Sequence, residues 1–412
     1  MTASSSAAAA STRIYLWAVV SMLAIQIVTS FATQAIPVMA PLAAPSFGVS
    51  HNDVGYFMAF VYFGAILSSS AGGLMASRYG AVRTSQGALL LCGAGVAVFG
   101  LGSVWLLIPA ALVLGLGMGP PTPASSQVLV RVTPPALASV TFSVKQTGVP
   151  LGNMVAGLAI PPLIALGSWH SGAWTVALCC LALAIAIEPL RPMLDVERGS
   201  GGTRGIVAAL RGFLSPVRLV WAARDFRRLA LVSLVFTAMQ ATFGAFLVVY
   251  LVQRLGFDLA VAGLVLSIGQ LCGASARVVW GAVADRSGRP MLTLAALTLG
   301  MAAGSGTLAV ADAGWSFVAL AAASMLYGST AIGWGGVFFA ELARRAPPGQ
   351  AGTMTGGAQF FTFTGALLVP PAFSLLLALF DSYTLNFAVL AGASLACGIG
   401  LLPMVRSERH GR

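Results

Sequence analysis

The chain has 412 residues, of which 58% are hydrophobic and only 8% are charged, and its formal net charge is +11. Soluble domains carry about 25% charged residues, so this composition excludes an ordinary soluble protein and indicates one that crosses a membrane several times. In such a protein an excess of arginine indicates which loops face the cytoplasm and not that the protein binds nucleic acid. We expect no nucleic-acid partner. The five cysteines lie in apolar runs without metal-ligand spacing, so we expect no metal site or other cofactor.

Long apolar runs separated by short polar turns predict an all-α membrane protein with twelve transmembrane helices. The predicted helices are 14–40, 52–77, 84–104, 107–131, 138–166, 173–190, 227–253, 259–284, 290–311, 315–343, 351–380 and 383–404. Residues 1–12 are rich in alanine and serine and are predicted to be disordered. The predicted organisation is a six-helix bundle at 13–190, a linker at 191–226, a second six-helix bundle at 227–405 and a tail at 406–412.

Arginines mark the linker, the tail and the turns after the second, eighth and tenth predicted helices. The alternate loops near residues 41–51, 105, 168–172, 312 and 381 contain no lysine or arginine. By the positive-inside rule, both termini and the linker lie in the cytoplasm, as in a multi-pass protein of a bacterial-type inner membrane. Within the linker, Ile206–Trp221 is either an amphipathic helix at the membrane interface or a solvated segment.

Two sequence stretches recur at a nearly constant offset. Gly72–Arg83 (GGLMASRYGAVR) resembles Trp280–Pro290 (WGAVADRSGRP) about 208 residues later. The segment from Arg131 to Gln146 matches the segment from Arg344 to Gln359, about 213 residues later. Two independent matches at nearly one offset predict that the two bundles are parallel repeats of each other.

Both turns resemble the signature G-x-x-x-D-R-x-G-R-[KR] that follows the second helix of the major facilitator superfamily, and its copy in the second half. The residues that fit are Gly73, Arg78, Gly80 and Arg83 in the first copy, and Gly281, Asp285, Arg286, Gly288 and Arg289 in the second. Ser77 stands where the first copy usually has aspartate. The resemblance implies a secondary transporter, and not an enzyme, that works by rocking of its two halves. It also implies that Asp285 helps to latch the cytoplasmic side.

Two predicted helices contain residues that interrupt helical hydrogen bonding. The fourth contains Gly117–Pro123 and the tenth contains Gly333–Gly336, at corresponding depths. Such interruptions occur within a membrane where the backbone lines a cavity or packs on protein. In the superfamily that the chain resembles, helices 1, 4, 7 and 10 line the cavity, and a harmless kink is the alternative.

Two basic residues lie deep in apolar sequence. Arg277 is about 12 Å from the end of the eighth helix, and Lys145 is about 15 Å from the cytoplasmic edge of the fifth. A charge at that depth is costly and marks either a function or a buried partner. Because no Asp or Glu lies equally deep, we expect a bound carboxylate, sulfonate or phosphate to neutralise them. The alternative is that each cation bonds backbone carbonyls beside a kinked helix.

The position of Arg277 in the eighth helix also makes the chain resemble the oxalate–formate antiporter and monocarboxylate transporter branch of the superfamily. In that branch an arginine of helix 8 binds the substrate carboxylate. The lysine that the oxalate exchanger has in helix 11 is absent, because Ala358 occupies the position that repeats Lys145. Further candidate substrate-binding residues, all polar or aromatic, are Gln34, Gln240, Tyr62, Trp334, Gln359 and Gln270.

The sequence therefore favours a monomeric secondary transporter that moves small organic anions, above all mono- or dicarboxylates, by alternating access. Coupling to protons, which could travel on the substrate or on Lys145, or to a counter-anion stays open. The alternative is a proton-driven exporter of lipophilic or cationic drugs, a class that usually has a buried acidic residue and G-x-x-x-G-P in helix 5. In this chain the corresponding stretch, Gly148–Gly152, reads GVPLG and lacks that signature. A membrane enzyme or receptor is disfavoured because neither H-E-x-x-H nor G-x-S-x-G occurs.

Overall fold

The computed structural model describes residues 2–134, 137–195, 214–347 and 351–410, which form helices joined by short turns. The helices are α1 (Thr2–Phe47), α2 (Val54–Tyr79), α3 (Ala81–Phe99), α4 (Leu107–Met118), α5 (Pro121–Val132), α6 (Ala138–Ala165), α7 (Trp169–Ala186), α8 (Leu214–Ala222), α9 (Arg224–Val249), α10 (Leu259–Ser287), α11 (Pro290–Ala309), α12 (Phe317–Ala331), α13 (Gly335–Arg345), α14 (Ala351–Phe380) and α15 (Tyr383–His410). Eleven helical segments within the described ranges are long and apolar enough to cross a membrane, and α2 is a further helix of 26 residues. The predicted all-α membrane fold is confirmed.

The first half of the molecule comprises α1–α7 and the second half comprises α9–α15, with α4/α5 and α12/α13 each making one pass. We call one end of the bundle the linker face, because the linker starts and ends there. The α2–α3 turn at Gly80 and the α10–α11 turn at Gly288 lie at this end. The other end is called the opposite face.

The first helix is longer than the sequence predicted. Its helical backbone begins at Thr2, within the segment that we expected to be disordered, and ends at Phe47 rather than near residue 40. Residues 7–10 are all alanine, the residue type with the highest helix propensity, which favours the extension at the start of the helix. Pro37, Pro41 and Pro45 lie inside the last turns, where packing outweighs the hydrogen bonds that each proline removes.

The predicted interruptions of the fourth and tenth passes are confirmed. α4 ends at Met118 and α5 begins at Pro121, while α12 ends at Ala331 and α13 begins at Gly335. The first break follows from adjacent prolines that cannot donate to the preceding turn, and the second falls in a glycine-rich stretch with low helix propensity. Both passes therefore have backbone that leaves the regular ladder part-way through.

The end of the linker is attached to the second half. α8 is the part of the predicted Ile206–Trp221 helix that the structure describes, and residues 206–213 lie outside the described ranges. The Trp221 ring stacks on Phe361 of α14, with centroids 5.6 Å apart and planes 12° from parallel. The guanidinium of Arg227 lies 5.7 Å from the centre of the Trp221 ring. These contacts hold α8 and the start of α9 against α14.

The two halves meet near the opposite face. At the α2–α14 contact, the Ser374 hydroxyl donates to the Asn52 carbonyl and Tyr383 hydrogen-bonds the Asn52 side chain, each at 2.5 Å. At the α6–α10 contact, the backbones of Gly157 and Gly263 touch, which only glycine permits at such a separation. The opposite face is thus closed by packed backbone and hydrogen bonds between the halves.

On the linker face, α6 and α10 diverge. A cavity of about 890 Å³ opens there, bounded by α6, α10, α13 and α15. Its lining residues include Ser143, Thr147, Arg277, Gly281, Asp285 and Glu341. The two halves are therefore in contact near the opposite face and separated by a cavity at the linker face.

The glycine contact leads to a testable expectation for Gly157→Ala. An added methyl group would collide with the Gly263 carbonyl, so closure of the opposite face should weaken. The measurement is thiol labelling of a cysteine at Ser267, which is 3% exposed at this contact, in a background without the native cysteines. We expect labelling several times faster than in the parent. Gly306→Ala is the control, because nothing lies within 4 Å of its added carbon; equal labelling in both variants would contradict the role of this contact.

Candidate functional site

Arg277 lies at the inner end of the linker-face cavity, between the halves. Its Nε donates to the Ile332 carbonyl at 3.1 Å, and NH1 donates to the Gln146 carbonyl at 3.0 Å. Gln146 belongs to the first half, whereas Arg277 and Ile332 belong to the second. The guanidinium thus bridges α10, α6 and the break between α12 and α13, and its side chain also lines the cavity.

Both carbonyls that hold Arg277 are released by helix irregularities. In a regular helix the Gln146 carbonyl would accept from the N–H four residues later, but that residue is Pro150, which has none. The turn at 332–334 separates α12 from α13 and leaves the Ile332 carbonyl available in the same way. Part of the alternative interpretation of Arg277 is therefore observed, since it does bond backbone carbonyls at kinks. A carbonyl is neutral, however, so these bonds leave the positive charge uncompensated.

Lys145 is more deeply buried, with 2% of its surface exposed. Its Nζ donates to the Thr122 hydroxyl at 3.4 Å and to the Gln146 side-chain oxygen at 3.3 Å. Thr122 donates in turn to the Gln26 side-chain oxygen at 3.4 Å. All of these partners are neutral, and none of the ion pairs in the described part of the chain includes Lys145 or Arg277.

The two cations belong to one polar network, because Lys145 bonds the side chain of Gln146 and Arg277 bonds its backbone. The network connects α1, α5, α6, α10 and the α12–α13 turn, and so it joins both halves near the level of the two helix breaks. Only Arg277 lines the cavity, whereas Lys145 lies behind it. Arg277 is thus the partly exposed cation of the network, and Lys145 is its buried neighbour.

The other candidate residues are distributed around this network. Gln34 donates to the Gly244 carbonyl at 2.6 Å, and Gln270, which is 1% exposed, accepts from Asn153 at 3.5 Å. Both bonds cross between the halves. Trp334 donates to Gln240 at 3.3 Å and packs edge-on against Phe236. The structure does not gather these residues around the linker-face cavity, whose lining includes none of them.

Tyr62 and Gln359 are half-buried, in α2 and α14 respectively. Gln359 is the repeat counterpart of Gln146, yet the network does not include it. The chain has no lysine beside Gln359, and the hydrogen bonds to Gln146 come from Lys145 and from Arg277 of the other half. The site is therefore asymmetric although the two halves repeat.

The two signature turns share one backbone arrangement. Gly80 and Gly288 are 208 residues apart and both have positive φ, 96° and 59°, which favours glycine. Each turn starts a helix whose first N–H groups meet a carboxylate. Asp195 accepts from the backbone of Val82 at 2.8 Å and of Arg83 at 3.3 Å.

Glu408 does the same for the second turn, where it accepts from the backbone of Met291 at 3.1 Å. Pro290 occupies the position of Val82 and has no N–H, so Glu408 receives one backbone bond where Asp195 receives two. Its other oxygen, Oε2, is buried with no hydrogen-bond partner in the described structure. Sequence reasoning missed both carboxylates, although their spacing of 213 residues repeats the offset already found.

The remaining signature residues lie around these turns at the linker face. Arg83 pairs with Glu188 at 3.4 Å, and Arg78 lies over the Tyr79 ring at 5.2 Å. Ser77, which replaces the usual aspartate, donates to the Gly73 carbonyl at 3.1 Å. In the second turn Gly281 and Asp285 line the cavity, and Arg286 and Arg289 are exposed. The latch role of Asp285 stays a prediction.

Long apolar helices in two halves that repeat each other, with a cavity between them at the linker face of the described structure, are the architecture of a membrane transporter. The chain belongs to the Major Facilitator Superfamily, whose family model matches residues 22–370.

By sequence, the chain is 25% identical over 211 residues to the 4-hydroxybenzoate transporter PcaK of Pseudomonas putida, covering 47% of this chain and 46% of that protein. It is 27% identical over 190 residues to an uncharacterised MFS-type transporter of Mycobacterium tuberculosis, covering 44% of this chain and 39% of that protein. The chain thus matches less than half the length of these relatives.

Among solved structures, a POT family transporter in complex with 5-aminolevulinic acid superposes with a TM-score of 0.75 at 13% identity, covering 95% of this chain and 96% of that one. The human organic anion transporter MFSD10 superposes with a TM-score of 0.68 at 17% identity, covering 94% and 99%. These similarities show the fold, and the family match shows that the chain is a transporter and not an enzyme.

The carboxylate caps lead to a prediction for Asp195→Ala and Glu408→Ala. Losing a carboxylate at a helix N-terminus costs about 1 kcal/mol per cap, so both variants should unfold at lower temperature. Asp195→Ala should lose more, because its carboxylate accepts two backbone bonds and Glu408 accepts one. Thermal unfolding in detergent measures the difference. An Asp195→Ala protein as stable as the parent would contradict the capping role.

Proposed function

We propose that the protein is a secondary transporter of small organic anions, above all mono- and dicarboxylates, which it moves by alternating access. The observation that supports this most is the charge balance at the head of the linker-face cavity. Arg277 and Lys145 share Gln146, and their partners are carbonyls, a hydroxyl and an amide without a carboxylate among them. Two cations held together away from water are stabilised by an anion, which the substrate supplies.

The donor geometry fits a carboxylate. Arginine offers five N–H donors in a planar fork that matches the two oxygens of a carboxylate, and two of these donors are engaged by the Ile332 and Gln146 carbonyls. NH2 makes no hydrogen bond within the described structure, and Arg277 lines the cavity. An anion that enters from the linker face would bind the donors of NH2, and the charge of Lys145 would add attraction.

The comparisons support an organic anion as well. 4-Hydroxybenzoate, which the Pseudomonas relative transports, is a small aromatic carboxylate, and MFSD10 is an organic anion transporter. By the positive-inside rule the linker face is the cytoplasmic face of a bacterial inner membrane.

A drug exporter driven by protons is the competing function. Such proteins usually bind cationic drugs through a buried carboxylate. Glu341 is a buried carboxylate that lines the cavity, but Arg344 and Arg345 already pair with it. Arg277 and Lys145, in contrast, have no acidic partner among the described ion pairs. Coupling of anion transport to protons or to a second anion is part of the proposal.

A ligand screen tests the proposal. The purified protein is heated with benzoate, 4-hydroxybenzoate, small dicarboxylates, sulfonates and lipophilic cations, because a ligand at 100 times its Kd stabilises the folded state by about 2.7 kcal/mol. We expect carboxylates to raise the unfolding temperature and lipophilic cations to leave it unchanged. Stabilisation by the cations alone would overturn the proposal in favour of the exporter.

For Arg277→Lys we expect anion affinity to fall about tenfold or more, although the positive charge is kept. Lysine cannot hold two carbonyls and also present a fork to a carboxylate. The measurement is uptake or binding of the carboxylate found in the screen, with membrane insertion checked in parallel. Arg254→Lys, at an exposed position near the opposite face, is the control and should behave as the parent. Near-normal binding by Arg277→Lys would argue against a carboxylate clamp.

For Lys145→Met we expect a selective loss of charged ligands. Methionine fills the buried volume but removes the charge, so binding of benzoate should weaken by about tenfold, while any binding of the neutral isostere benzamide should change little. Isothermal titration with both compounds measures the ratio. An unchanged benzoate affinity would reduce Lys145 to a packing residue.

A further inference from the structure

Among the three prolines inside α6, Pro150 is distinguished by what lies next to the carbonyl that it frees. Pro150 is buried, and its missing N–H leaves the Gln146 carbonyl without its helical partner. Arg277, which belongs to the other half, supplies the missing donor, because its NH1 donates to the Gln146 carbonyl at 3.0 Å. A free buried carbonyl costs about 1–3 kcal/mol, so the arginine and the proline satisfy each other's requirements.

The position of this bond in the α6–α10 contact is informative. Proceeding from the opposite face towards the linker face, the helices touch at Gly157 and Gly263, then Ser267 donates to the Met154 carbonyl at 2.9 Å. The Asn153–Gln270 hydrogen bond follows at 3.5 Å. The bond between Arg277 and Gln146 is next.

Beyond that bond the two helices separate. Ser143, Val144 and Thr147 on α6 face the cavity, as do Val278, Gly281 and Asp285 on α10. The Arg277 side chain thus ties the halves together at the point where the contact ends and the cavity begins.

We propose that Pro150 is a positioning residue for Arg277. By withholding its N–H it reserves the Gln146 carbonyl for the guanidinium, which is thereby held across the two halves and stabilises the arrangement that is open at the linker face. Where a ligand is concerned, the inference rests on the proposed function, because the anion would bind the same guanidinium. An anion that uses the edge formed by Nε and NH2 displaces the Ile332 carbonyl, which belongs to the same half as Arg277, and leaves the bond from NH1 to Gln146 between the halves in place.

The test is the variant Pro150→Ala, which restores the N–H and returns the Gln146 carbonyl to the helix. Without ligand, the distance between spin labels at Ser143 and Ala282, which line the cavity from α6 and α10, reports how the population divides between open and closed linker faces. We expect Pro150→Ala to move this ratio about tenfold towards the closed linker face, as for the loss of one hydrogen bond to a charged group. Pro162→Ala, an exposed proline of the same helix, is the matched control and should leave the ratio unchanged.

A double-mutant cycle separates positioning from a general straightening of α6. In an Arg277→Met background the guanidinium is absent, so Pro150→Ala should produce no further shift. An equal shift with and without Arg277, or no shift in the parent background, would overturn the proposal. Because these measurements contain no ligand, they remain decisive even if the screen finds that no carboxylate binds, which would overturn only the proposed function.

Discussion

The structure depends on a positive charge placed where water is scarce. Arg277 and Lys145 lie within long, mainly apolar helices. Their hydrogen-bond partners are dipoles without net charge. Dipoles satisfy the N–H groups but do not remove the cost of the charge, so the arrangement is stable as far as the cavity admits water or an anion. The helix breaks, the interface between the halves and the inner end of the linker-face cavity all meet at these two charges.

The breaks in helical hydrogen bonding have a direct role in that arrangement. A regular membrane helix consumes its own carbonyls, leaving nothing for a buried arginine to bind. Pro150 and the turn at 332–334 each release a carbonyl at the same depth, one from each half. The residues that weaken the helices are therefore the residues that make a cation acceptable between them.

Much of the fold could be predicted from the sequence because a membrane span is a local property. Length, hydropathy and the glycine turns fixed the helices to within a few residues at most ends, and the 208-residue offset identified Gly80 and Gly288 as equivalent turns. The continuation of α1 from residue 40 to Phe47 was missed, because proline is read locally as a breaker while tertiary packing decided otherwise.

The candidate site was predictable only in part, since depth can be counted along a helix but partners cannot. The sequence placed Arg277 and Lys145 within one membrane region and showed no acidic residue at that depth. It could not show that Arg277 would reach Gln146 in the other half, or that Lys145 would lie behind the cavity and not in its wall. Trp334 and Gln240 pair with each other, which depends on how α9 and α13 pack and leaves no trace in residue spacing.

The pair of caps at the linker face has a consequence for how the two halves could move. Asp195 is fastened to its turn by both oxygens, whereas Glu408 is fastened by one and keeps a second acceptor in reserve because a proline begins α11. The free oxygen of Glu408 can accept a new donor if the surroundings of the α10–α11 turn change, whereas each oxygen of Asp195 already accepts a backbone bond. The two turns share one backbone arrangement, and the proline at the start of α11 makes their hydrogen bonding to the carboxylates unequal.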